Sequence, residues 1–295
     1  MTSKSCLILN RKAATRPVVE EAVKHVQSKG IELRVRIPWD KDDAPRVIEE
    51  ALANGAERII AGGGDGTVNT VVNVLVGDGK ERPQAVMGVL PLGTANDFAH
   101  GCGLPCDDLK QCLEIACTSP AHETDVACVN GRYFINVASG GYGAEITATT
   151  PAPLKKALGG GAYTIMGLVK ALGVKPYEGR LLVPGHEPVE GNMVFMAVGN
   201  NRLAGGGHEV APKARLDDGL LDLVVVSDGP AADVARLVDE IKTPENLDNR
   251  FLHYRQFSEF TIEATRDLHF NLDGEPMLAR KLEFSVLPKR LGVVF

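Results

Sequence analysis

Ile59-Ile60-Ala61-Gly62-Gly63-Gly64-Asp65-Gly66-Thr67-Val68-Asn69 reads as a short buried strand, a glycine turn carrying one carboxylate, and the opening of a helix. Glycines accept positive φ and let a ligand approach the backbone closely. Thr67 or Asp65 is expected to cap the helix, whose first N–H groups are then free to hold an anion, a phosphate above all. A carboxylate beside phosphates is repulsive unless a divalent cation or a reacting hydroxyl lies between them. The plainer account is a strand–turn–helix with a capping aspartate. Three consecutive glycines followed by Asp-Gly-Thr weigh against it. The common phosphate motifs do not fit: the chain has no G-x-x-x-x-G-K-[ST] loop, and Thr67 stands where a G-x-G-x-x-G pattern needs its third glycine.

On the N-terminal side, residues 6–10 read as a strand, and 16–29 as a helix with Val18, Val19, Ala22, Val23 and Val26 on one face. Residues 31–37 alternate as a half-buried strand does. Asp42 or Asp43 is expected to cap a helix with Pro45 in its first turn, and Arg58 to Ala61 is the third strand. Beyond the glycine loop a helix to about Val76 precedes an apolar strand at 85–90. Alternating strands and helices predict a parallel sheet covered on both faces, with ligands outside the carboxyl ends of its strands. At the next such end, Leu90-Pro91-Leu92-Gly93-Thr94-Ala95-Asn96-Asp97-Phe98-Ala99 supplies a second polar loop. Thr94 is placed to bond a phosphate or nucleotide, and Asn96 or Asp97 to cap a short helix.

After a helix at 107–118 the pattern changes. Residues 124–129, Asn130-Gly131 and 132–137 form a strong hairpin signal. Strands are expected at 181–183, 193–198, 220–226, 259–264, 267–272, 282–287 and 291–295, with helical patches at 155–172 and 231–241. Runs of strands after β–α units imply a second, mainly antiparallel domain. Two acidic turns stand out. Leu216-Asp217-Asp218-Gly219-Leu220 is either an Asp-Gly turn or a cation site of hard oxygen ligands. Phe270-Asn271-Leu272-Asp273-Gly274-Glu275-Pro276 is either a solvated hairpin turn or the carrier of an acid that accepts the proton of an attacking hydroxyl.

The chain has 295 residues and a formal net charge of −6, with 44% hydrophobic residues. That is enough for about two domains, and the acidic balance speaks against a nucleic-acid partner. No apolar run approaches the ~18 residues of a spanning helix, and residues 1–12 lack a signal-peptide core. The six cysteines form no C-x-x-C pair, so a cytoplasmic protein with free thiols is expected.

Gly63-Gly64-Asp65-Gly66-Thr67, the loop around Gly93-Thr94-Ala95-Asn96-Asp97, Asp217-Asp218-Gly219 and Asp273-Gly274-Glu275, in this order, resemble the bacterial YegS-type lipid kinases of the diacylglycerol kinase catalytic superfamily. The resemblance runs over essentially the whole chain and includes Gly140-Gly141-Tyr142-Gly143 and Ala204-Gly205-Gly206-Gly207. It implies an N-terminal phosphofructokinase-like (Rossmann-like) α/β nucleotide domain over 1–130, completed by 286–295. It further implies a C-terminal antiparallel β-sandwich lipid-substrate domain over 131–285, and an ATP site in the cleft between the two.

By motif position, Gly64, Asp65, Gly66, Thr67, Val68, Asn69, Thr70 and Thr94 would bind the nucleotide. Glu275, with Asp65 as rival, would accept the hydroxyl proton. Asp218, with the carbonyls of Arg215 and Leu220, matches a metal site outside the cleft for Mg²⁺ or Ca²⁺. Asp65, Asp97 and Asp125 match an acidic network around the catalytic Mg²⁺. The family often carries Glu where Thr70 stands and a hydroxyl residue where Pro38 stands. The activity implied is transfer of the γ-phosphate of ATP to a hydroxyl of a membrane lipid, of diacylglycerol or phosphatidylglycerol type. Contact with the inner face of the membrane would be peripheral. The apolar patch at 159–169, beside Lys155 and Lys156, is either that contact or an ordinary core helix with a glycine-rich lead-in. Two other readings are a soluble-substrate kinase of the NAD-kinase type and a non-catalytic lipid- or nucleotide-responsive binding protein. The Asp-Gly-Glu turn and the Gly93-Thr94 loop argue against the first.

Overall fold

The computed structural model describes residues 4–141, 175–230 and 233–295. The apolar patch at 159–169, Lys155 and Lys156, Tyr142 and Gly143, and the start of the helix expected at 231 lie outside the described residues. The chain divides into two compact units, one of residues 1–126 and 287–295, the other of residues 127–286.

In the first unit β1 (Ser5–Leu9) lies between β2 (Leu33–Arg36) and β3 (Arg58–Gly63), and β4 (Val86–Pro91) lies beyond β3. All pair in parallel, and the chain's last strand adds to β4 in parallel through Val293 and Met87. Leu7, Ile8, Ile59, Ile60, Met87 and Leu90 are almost fully buried. A strand covered on both faces must be apolar on both, which explains the unbroken apolar runs. The cover comes from α2 (Pro17–Ser28), α3 (Ala44–Ala53), α4 (Asp65–Val76) and α6 (Leu109–Thr118), each with a stripe of small or branched apolar residues. Gly88 lets α6 sit close, since a Cβ there would lie 2.8 Å from the Cβ of Ala116. A one-turn helix, α1 (Arg11–Ala14), was not expected. Asn10 makes it by accepting the amide of Ala13 at 2.8 Å. Asp43 does not cap α3 with its side chain; its carboxylate takes the amide of Trp39 and the guanidinium of Arg46.

The second unit is antiparallel. The Asn130-Gly131 hairpin forms as read, with φ of 48° and 77°, between β5 (His122–Val129) and β6 (Arg132–Phe134). The strands then run β7 (Val137–Gly141), β8 (Tyr177–Leu182), β9 (Val189–Gly199), β10 (Leu203–Ala204), β11 (His208–Glu209), β12 (Leu221–Ser227) and β13 (Leu252–Phe257). β14 (Glu259–Leu272) and β15 (Glu275–Val293) follow, where four shorter strands were expected. The charged stretch at residues 263–267 is a register irregularity inside one ladder, not a break in it. β13 was missed because its Leu252, Tyr254 and Gln256 mix apolar and polar residues on one face.

Alternation along β9 sends Met196 and Val198 into one core and Phe195 and Ala197 into another. The first core holds an aromatic cluster in which Phe260 and Phe284 stack at 4.9 Å. The second is covered by Leu237 and Ile241 of α7 (Val234–Lys242). Gly140 is required by the first core, since a Cβ there would lie 2.1 Å from the Phe270 ring.

All six cysteines are free, and burial pushes the Cys112 thiol up to about 12. Glu240 is buried on α7, where burial alone would raise its pKa. The amides of Arg250, Phe251 and Leu252 and the side chain of Arg236 outweigh that and hold it at about 2. The carboxylate therefore stabilises the fold fully above its ordinary value of 4.5, and that contribution is lost as pH falls through about 2. Between those values the wild type should lose about 3 kcal/mol through this group. Glu240→Gln should lack that part of the slope in acid titrations of stability.

Candidate functional site

The glycine loop leaves β3 at Gly63 and enters α4 directly. The N-cap is Gly64 in an extended conformation with no side-chain cap, and Asp65 is already helical. The expected capping by Thr67 or Asp65 is therefore corrected. A Cβ at Gly63 would overlap the Thr67 hydroxyl at 2.1 Å, so glycine there is what lets the helix start so early. Thr67 and Val68 donate their amides to the Gly64 carbonyl at 2.8 and 3.1 Å, which leaves the amides of Asp65 and Gly66 without a preceding helical carbonyl and open to an anion.

Asp65 turns its carboxylate to the second loop. It accepts the amides of Asp97 at 3.3 Å and Phe98 at 3.0 Å, the first free donors of α5 (Asp97–Gly101). Asn96, in the left-handed region with φ 51°, does not cap α5; its side chain accepts the amide of Gly93 at 2.8 Å. Asp65 thus caps a helix 32 residues away in sequence.

The two loops touch through backbone. A Cβ at Gly64 would lie 3.1 Å from the Gly93 Cα, and one at Gly93 only 2.5 Å from the Gly64 Cα. The amide of Leu92 donates to the carbonyl of Gly63 at 2.8 Å, and the Arg16 guanidinium donates to the Leu92 carbonyl at 3.4 Å. Burial raises the pKa of Asp65, the Phe98 amide opposes that, and the nearby charge of Asp97 raises it further. A half-buried acid beside a buried one suits a divalent cation, which would relieve their repulsion. Asp125 is held differently, because its carboxylate accepts the Lys289 amide at 2.6 Å. Among the described residues no group of three or more His, Cys, Asp or Glu side chains is placed to hold a metal, so the expected network is not gathered as one cluster.

The remaining loop residues separate by orientation. Val68 and Asn69 bury their side chains, and the Thr70 hydroxyl donates to the Gly66 carbonyl at 3.0 Å. Thr94 is exposed. In the second unit Asp273 and Gly274 form the tight turn between β14 and β15, both with positive φ. Asp273 is buried and accepts three amides, those of Ile135, Asn136 and Val137, at 2.8 to 3.0 Å. It is an anchor for the β6–β7 connection, which no local signal in the sequence discloses. Glu275 begins β15, half-buried, opposite Leu272. At the other acidic turn Asp218 accepts the Leu220 amide at 3.0 Å, and Asp217 takes the Arg215 side chain at 3.2 Å. Behind it Tyr254 donates to the buried Asp222, a contact sequence reading did not anticipate.

Residues 4–129 match the model of the diacylglycerol kinase catalytic domain, and residues 136–295 that of the YegS C-terminal NAD kinase beta sandwich-like domain. The class is therefore that of two-part kinases with a glycine-loop catalytic domain. A probable lipid kinase YegS-like from Chromohalobacter salexigens is 44% identical, covering 97% of this chain and 91% of the relative. Another from Shewanella frigidimarina is 40% identical, covering 98% and 92%. The chain belongs to the YegS-like lipid kinases. A putative diacylglycerol kinase of Bacillus anthracis shares the fold, with a TM-score of 0.83 at 22% identity over 100% of this chain and 97% of that one.

Gly93→Ala should cost about 1–3 kcal/mol, because the new methyl meets backbone that can yield only if the loops part. Gly191→Ala, where nothing lies within 4 Å, is the control. Equal thermal unfolding of the two variants would show that the loops are not in contact.

Proposed function

We propose that this lipid kinase transfers the γ-phosphate of ATP to a hydroxyl of a membrane lipid, of diacylglycerol or phosphatidylglycerol type. The observation that carries the reading is the glycine loop opening α4, with Asp65 beside Asp97 at its mouth. The first amides of α4, those of Asp65 and Gly66, bind the phosphates, and Thr94 adds a hydroxyl to the same ligand. Asp65 and Asp97 hold the Mg²⁺ that accompanies ATP; such an ion supplies charge neutralisation as the γ-phosphoryl group moves. The Asp218 carboxylate, with the carbonyls of Arg215 and Leu220, would hold a second Mg²⁺ or Ca²⁺.

The acceptor oxygen forms a bond to the γ-phosphorus while the β–γ bridging bond breaks. Its proton passes to Glu275, and ADP leaves. Positioning and charge stabilisation supply most of the rate, and proton acceptance contributes about 10²–10⁴-fold. Among the described residues no helix is long and apolar enough to cross a membrane. On this reading the protein would meet its lipid peripherally, at the inner face of the membrane.

Transfer of labelled γ-phosphate from Mg·ATP to an extracted bacterial lipid mixture tests the reaction and names the acceptor. A labelled lipid should form with the wild type and vanish with Asp65→Asn. ATP bound without any labelled lipid would overturn the reading. Glu275→Gln should lower turnover about 10²-fold or more with Mg·ATP binding retained. Unchanged turnover would remove Glu275 from the mechanism.

A further inference from the structure

The chain has one tryptophan, Trp39, and its side chain is 71% exposed. Its backbone is held, because its amide donates to Asp43 at 2.9 Å. The Arg11 guanidinium lies over one face of the indole, 4.6 Å from the ring centre. The exposure of the side chain leaves ring surface beyond that contact open to a ligand. Register places this pair. Arg36, Ile8 and Ala61 are lateral neighbours across β2, β1 and β3. Three residues on, just past the carboxyl ends of these strands, come Trp39, Arg11 and Gly64. All three leave the same carboxyl edge of the sheet, and strands spaced about 4.8 Å apart put Trp39 roughly 10 Å from Gly64. The connection after β1 runs toward β2 and the connection after β3 runs the opposite way toward β4, so the direction of winding reverses between β1 and β3. Parallel sheets take their ligands at such a reversal.

A ligand that spans this edge needs an anionic end for the α4 amides and a flat, π-rich end for an indole already polarised by a cation. We propose that Trp39, backed by Arg11, is the stacking platform for the nucleotide base. The proposal rests on the ATP-dependent reading above and adds the subsite that holds the base.

The single tryptophan reports directly. Mg·ADP should change Trp39 fluorescence in the full-length protein, whereas inorganic tripolyphosphate, which fills only the phosphate end, should not. Trp39→Ala should raise KM for ATP about ten-fold, as loss of a base–aromatic stack does, and leave KM for the lipid acceptor unchanged. Equilibrium dialysis of Mg·ADP run alongside separates two failures. Bound ADP with silent fluorescence, and an unaltered KM for ATP in the variant, would overturn the stacking proposal alone. No bound ADP would overturn the ATP reading together with it. A fluorescence response to anionic phosphatidylglycerol vesicles and not to Mg·ADP would assign Trp39 to a membrane surface and reject the stack.

Discussion

The glycine-loop end of the first unit depends on one carboxylate spent on backbone. Asp65 opens α4, yet its oxygens accept the amides that open α5. Two helix N-termini, each short of acceptors, are thereby joined by a single charged group, and such charge-assisted bonds are about twice as strong as neutral ones. The bond can form only because Gly64 and Gly93 bring the loops into backbone contact, with no side chain between them. Burial and the neighbouring Asp97 raise the pKa of the same carboxylate.

The same device recurs away from that loop. Asp273 gathers three amides of the β6–β7 connection, Glu240 gathers three before and within β13, and Asp125 takes the amide of Lys289. In each case a carboxylate supplies the acceptor that a bent or ended ladder lacks, and buried amides without one would be costly. The acids of this chain therefore divide by what they touch. Asp273, two residues before Glu275, is saturated by amides and fixes the turn from which Glu275 begins β15. Position in an acidic motif does not by itself make an acid chemical.

Membership of the YegS-like lipid kinases agrees with this architecture at both ends of the chain. Conserving the fold at 22% identity, as in the Bacillus anthracis structure, asks little of most side chains. It asks more of the backbone at the glycine loops, where a methyl group is already too large.

Local pattern was sufficient for the parallel strands, the helices between them and the Asn130-Gly131 hairpin. Their periodicities and positive-φ residues act over a few neighbours, and the chain carries them openly. It also marked the glycine loops, since glycine in such runs answers to backbone approach and not to packing. What local pattern misread were the caps. Asp65, Asn96 and Asp43 all carry side chains suited to a neighbouring amide, yet Asp65 and Asp43 serve amides outside their own helices, and Asn96 serves its own loop instead of its helix. β14 and β15 were read as four strands because a charged irregularity looks like an end until a partner strand spans it. The sequence alone determined the parallel strands, the helices between them, the Asn130-Gly131 hairpin and where the glycine loop lies. Only the tertiary structure decided which carboxylate serves which amide, because competing acceptors are ranked by distances that the folded chain alone creates.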